Sequence, residues 1–155
     1  MLREEKAEPK VSRPANHMEV EGELCKLFYQ RFGNEALPII EAVFHEWGIT
    51  IGERLKAKMP ARGLKAAIET YMAPVMDREP KPEIIECSDK KFEANIFTCP
   101  YRLNGAGRPL CEAMTAMDRA ILEALIKGEV ENRVLKTLAD PGGECCCGII
   151  TPKTP

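Results

Sequence analysis

The apolar spacing of this chain changes period once, near Glu83, and that change limits the folds open to it. Before it, apolar residues recur every three or four positions; after it, they mostly alternate. A helix repeats every 3.6 residues and a strand every two. The chain therefore reads as helices first, then strands, with one more helical stretch set between two pairs of strands.

Asn16 stands where it caps a first helix running to about residue 32, with Val20, Leu24, Leu27 and Phe28 on one face. Gly33 ends that helix and Asn34 is placed to cap the next. The second helix spans about 35–58, and Leu37, Ile40, Phe44, Trp47, Ile51 and Leu55 form its buried stripe. Pro60 breaks the chain. A third helix over about 61–76 turns Leu64, Ile68, Tyr71, Met72 and Val75 inward, and the charged, proline-bearing segment 77–82 is a connector. Strands follow at 83–87 and 91–99 around a turn at Asp89-Lys90, with Phe92, Ala94, Ile96 and Thr98 on one side. A fourth helix covers 109–127, a third strand 130–138, a turn 140–143 and a last strand 145–151. The predicted class is α+β: three N-terminal helices followed by a ββαββ unit with an antiparallel sheet. Residues 1–15 read as a flexible tail and 16–152 as a single domain.

A net charge of -2 argues against a nucleic-acid partner, which needs a basic face. No apolar run approaches the roughly 20 residues that span a bilayer. The N-terminus mixes charge signs and has no apolar core of a signal peptide, so the expected location is cytoplasmic. Phosphate-loop and dinucleotide fingerprints are missing, which predicts no nucleotide cofactor. Six of the seven cysteines lie from Cys87 onward. In a reducing compartment such an odd set reads as free thiols, metal ligands or a redox centre.

Two of these thiols stand out. Cys99 ends the second strand in a Cys-Pro-Tyr run that includes Tyr101, and Cys111 opens the fourth helix, where the dipole favours a thiolate. Asp118 follows Cys111 by seven residues, two turns along the same face. It reads either as a solvated residue or as a general base that orients a thiolate or a metal-bound water. Adjacent strand residues face opposite ways, so of Cys145, Cys146 and Cys147 only Cys146 is expected to join the site; reversed parity would give that role to a neighbour. On the second helix, Gly48 and Gly52 lie beside His45, each costing about 1 kcal/mol relative to Ala. They imply either close helix packing or room for a ligand against the backbone, with His45, Gly48 and Tyr101 as substrate-binding candidates.

The run of Cys99-Pro100-Tyr101, then Leu110-Cys111 before a helix with Asp118, then a strand, a Gly-rich turn and a closing cysteine strand resembles a known family. It is similar to the L-2-amino-thiazoline-4-carboxylic acid hydrolase-like proteins and, more distantly, to hydrocarbon-binding domains of the 4-vinyl reductase type. Phe44, Gly48, Gly52 and Leu55 match the N-terminal part of that pattern, and the resemblance covers about residues 20–150. It implies an α+β fold enclosing a small-molecule pocket. Cys99, Cys111, Asp118 and Cys146 carry over as site residues, with zinc on Cys99, Cys111 and Cys146 leaving one position for water. The first functional reading is thus a hydrolase opening a cyclic C–N or thiazoline-type substrate. The alternative is a non-catalytic small-molecule binding or sensor domain. A thiol redox or metal-handling protein comes third. A small-molecule ligand is the expected partner, and a homodimer is left open.

Overall fold

In a computed structural model, which describes residues 8–59 and 62–154, the Asn16 side chain accepts the Glu19 backbone N–H and starts α1 (His17–Phe32). The expected stripe on α1 is corrected: Val20 and Leu24 are 41% and 64% exposed. The inward face carries Gly22 and Glu23, with Cys25, Phe28 and Tyr29 beside the core. Gly22 causes this rotation, because a Cβ there would lie 2.0 Å from the Tyr101 carbonyl oxygen, so α1 rides directly on that loop.

Glu23 tolerates the inward position because it is fully partnered. It accepts from the Ser12 backbone N–H at 3.0 Å and the Ser12 hydroxyl at 2.7 Å, and pairs with Lys26 at 2.7 Å. The Lys26 and Ser12 hydrogen bonds hold its carboxyl down at about 2. Of the N-terminal segment, residues 1–7 lie outside the described residues; residues 8–15 have no regular structure but are tied down at Ser12. Glu23→Gln is therefore expected to speed amide exchange across residues 8–16 by about tenfold, the loss of one charge-assisted hydrogen bond. Exchange mass spectrometry checks this, and unchanged rates would show the tie to be inconsequential.

Asn34 does not cap the second helix. A 3₁₀ turn (Gly33–Glu35) leads into α2 (Ala36–Lys56), which has no side-chain cap. Ile40 and Phe44 are buried as expected, but Trp47 is 42% exposed, with the Arg54 guanidinium 5.5 Å above its ring. The break at Pro60 and the helix start at Ala61 lie outside the described residues; α3 covers Leu64–Met72, and Leu64, Ile68, Met72 and Val75 are all buried.

The second half holds β1 (Glu83–Cys87), β2 (Phe92–Ile96), α4 (Arg108–Met114), α5 (Ala116–Ile126), β3 (Val130–Lys136) and β4 (Cys146–Pro152). Three corrections apply here. β2 stops at Ile96 rather than Cys99, β3 stops at Lys136 rather than Leu138, and the single helix expected over 109–127 is two. At the break, the Thr115 hydroxyl donates to the Glu112 carbonyl at 2.7 Å, the back-bonding that bends helices. The fold is mixed α+β with a four-stranded antiparallel sheet of order β1-β2-β4-β3.

Register sets the faces of the sheet. Phe92 pairs with Ile150, Ala94 with Gly148 and Ile96 with Cys146, so these six share one side. That side belongs to one apolar core with α2, α3, α4 and α5. α2 and α5 meet through glycine: a Cβ at Gly48 would lie 2.4 Å from the Met117 carbonyl oxygen, and one at Gly52 2.7 Å from the Ala124 Cβ. Among the described residues no helix is long and apolar enough to cross a membrane.

Candidate functional site

α5 turns Asp118, Ile121, Leu122 and Leu125 to one side, at the spacing of a buried stripe. The last three are core residues, so a carboxylate at the first position enters apolar surroundings by the geometry of the helix alone. It lies in the first turn of α5, where the dipole favours negative charge. Asp118 lines a cavity of about 230 Å³ between α3, the loop after β2, the α4–α5 break and the inner face of the sheet. Met72, Val75, Phe92, Ala94 and Ile150 supply apolar wall.

Tyr71, from α3, donates its hydroxyl to Asp118. Burial pushes the Asp118 carboxyl up to about 6, against the Tyr71 hydrogen bond and the charge of Arg78, which both favour the ionised form. Burial likewise raises the Tyr71 hydroxyl far above its ordinary value, with Asp118 adding to the effect. Tyr101 completes this side. Its ring packs edge-on to Phe44 at 5.9 Å, its hydroxyl reaches the Met117 sulfur at 3.7 Å, and burial raises it strongly. The Thr98 hydroxyl, also on the cavity wall, is buried with no hydrogen-bond partner among the described residues.

Cys99, Cys111 and Cys146 all line the cavity. Thr137, only 2% exposed, organises two of them: its hydroxyl donates to the Cys111 sulfur at 3.1 Å and lies 3.8 Å from the Cys146 sulfur. The Leu138 and Leu103 backbone N–H groups donate to the sulfurs of Cys146 and Cys99, at 3.4 and 3.5 Å. Arg108 fixes the segment that carries Thr137, with Asp140 at 2.6 Å and the Val134 and Leu135 carbonyls at 3.2 Å. Cys146 shares its face with Gly148 and Ile150, whereas Cys147 pairs across from Asn95 on the opposite side. The helices cover the Cys146 side, and Cys147 lies on the other.

Burial opposes the expected thiolate at Cys111. Burial pushes this thiol up to about 11, and Cys146, Cys99 and Asp118 add to the rise against the Thr137 hydrogen bond. Burial raises Cys146 as well. Helix-dipole stabilisation loses to desolvation here because α4 is a two-turn helix and Cys111 sits well inside it. Nor do the residues fit zinc: among the described residues no three His, Cys, Asp or Glu side chains come together as a set that could hold a metal ion. His45 and Gly48 lie away from the cavity. His45 faces Glu46 at 3.7 Å on α2, and Gly48 is taken up by its contact with α5.

Sequence reasoning reached Cys99, Tyr101, Cys111, Asp118 and Cys146, which the fold gathers around one cavity. It did not reach Tyr71 as the partner of Asp118, nor Arg78, Thr98 or Thr137. A signal existed for Tyr71, since an inward tyrosine needs a partner for its hydroxyl.

No family model matches the chain, and no curated protein matches it significantly. Solved structures share its fold. The phenol-responsive sensory domain of the transcription activator PoxR, in complex with phenol, superposes with a TM-score of 0.61 at 15% identity, over 88% of this chain and 75% of that one. A trafficking protein particle complex subunit 3 from Naegleria fowleri, covalently bound to palmitic acid, gives 0.58 at 13% identity, over 88% and 97%. At these identities the likeness is one of fold.

Proposed function

We propose that this chain is a non-catalytic binding or sensory domain for a compact, mainly apolar small molecule. One observation carries the reading: a mainly apolar cavity with few polar side chains on its wall, the Tyr71–Asp118 pair among them. Few, well-placed polar groups in an apolar concavity are what orient a small ligand. At about 230 Å³ the space is below the roughly 300–1,000 Å³ of drug-sized pockets, so one ring with a short substituent is the scale. Both structural neighbours hold small or lipid-like molecules, phenol in one and palmitic acid in the other, which supports this reading over hydrolysis. So does the chemistry: a thiol held near 11 is a weak nucleophile at neutral pH, and the Asp118 carboxyl is engaged by Tyr71 rather than by a thiol.

Titration with a panel of single-ring phenols, followed by thermal unfolding and by mass spectrometry of the added compound, tests this. A ligand at 100 times its Kd is expected to stabilise the chain by about 2.7 kcal/mol and to be recovered unchanged. Ile96→Trp, which fills the cavity from the half-buried end of β2, is expected to abolish the shift. Steady consumption of a thiazoline substrate, lost in Cys111→Ala, would reinstate the hydrolase reading.

A further inference from the structure

Arg78 occupies the connector between α3 and β1, is half-buried, and lines the same cavity as Asp118. Three other arginines have carboxylate partners, Arg102 with Glu19 at 2.9 Å, Arg108 with Asp140 at 2.6 Å and Arg119 with Glu41 at 3.8 Å, whereas Arg13, Arg31, Arg54 and Arg133, like Arg78, show none among the described residues, but do not line the cavity. The Arg78 side chain makes no hydrogen bond and no ion pair among the described residues. It is close enough to be felt electrostatically by both Tyr71 and Asp118, yet Asp118 takes its hydrogen bond from Tyr71. The guanidinium thus keeps its full set of donors beside an apolar space. Lys136 is a second cation on the cavity wall, and among the described residues Asp118 is the one carboxylate there.

We propose that the cavity selects a compact apolar molecule ending in a carboxylate, with Arg78 as its anion-binding group. This rests on the binding reading above and names the ligand class. The planar guanidinium meets both oxygens of a carboxylate, a geometry that a hydroxyl or amide cannot match. Partial burial weakens solvent screening of that pair. The hydrocarbon part then lies against Met72, Val75, Phe92 and Ile150. A carboxylate near Asp118 makes two acids share one region, so a proton held there relieves their repulsion.

Isothermal titration at low salt with phenylacetate, phenylacetamide and 2-phenylethanol, on the full chain and on Arg78→Gln and Arg78→Lys, decides the matter. Phenylacetate is expected to bind at least tenfold more tightly than either neutral isostere. Arg78→Gln should erase that preference and Arg78→Lys should keep part of it, with circular dichroism confirming that both variants fold. Equal affinity for all three probes would overturn the carboxylate preference and leave the binding reading standing. If none of the three binds while a neutral phenol does, the proposal again falls alone. If the phenols fail too, both fall.

Discussion

Asp118→Asn is expected to stabilise the folded chain by about 3 kcal/mol at pH 8 and to change little at pH 4. The carboxyl stands at about 6 in the fold against an ordinary value of 3.8, because burial penalises its charge. Between those values the folded state holds a proton that the unfolded state has lost. Stability is therefore retained below the unfolded value and falls as pH rises through about 6, by roughly 3 kcal/mol in all. Asparagine keeps the shape and carries no charge, so it escapes that fall. The Tyr71 hydrogen bond already acts within that value of about 6, which it lowers, so nothing further is subtracted from the gain. Urea unfolding of both proteins at the two pH values measures it. A difference that is the same at pH 4 and pH 8 would mean that the carboxyl is not strained by burial. A residue that lowers stability at neutral pH while lining a cavity fits the proposed binding role.

Gly48→Ala is expected to lower stability by about 2 kcal/mol, although alanine is the better helix former by about 1 kcal/mol. The new methyl would meet the Met117 carbonyl oxygen at 2.4 Å and the Ala120 Cβ at 2.8 Å. Neither is the end of a flexible side chain, so α5 as a whole must move away from α2. Overpacking of this kind costs about 1–3 kcal/mol and occasionally more, and the propensity gain offsets only part of it. Asp118 follows Met117 directly, so the same shift pulls its carboxyl from Tyr71, and ligand affinity should fall with stability. Urea unfolding and ligand titration of the variant read both effects. A variant more stable than the parent would place Gly48 at an open helix face.

How far the sequence carried can be argued from these same residues. Asn16 as a cap, β1 at Glu83–Cys87, the inward faces of α3 and β2 and the turn closed by Asp140 and Gly143 are local signals, and the structure keeps them. The rotation of α1 was not local. Val20 and Leu24 have the right spacing for burial, but Gly22 is the residue that admits the Tyr101 carbonyl, and that neighbour is invisible in a helical pattern. The glycine pair on α2 was legible as an oddity, and close packing is the explanation that the contacts support at Gly48 and Gly52. Asp118 stood out by lying two turns after Cys111 on one face, with a solvated position left open. Its partner Tyr71 lies 47 residues away, a distance that only the tertiary fold closes. Cys99, Cys111 and Cys146 line one cavity, and burial raises the thiols of Cys111 and Cys146, an effect that a dipole argument leaves out because it counts backbone charges and not the water that burial removes.

The order of the sheet has a consequence for how the chain comes to be folded. β4 lies between β2 and β3, although it is made last. It brings Gly148 and Ile150 to the cavity and pairs with both neighbours, so until it docks, β2 and β3 have no shared partner and the cavity has no floor. A chain still emerging from synthesis can form α1, α2 and α3 by local hydrogen bonds, but α2 and α3 wait for α5 to pack against and the cavity waits for β4. Competence to bind should therefore arrive abruptly and late, as one cooperative step, rather than growing with chain length.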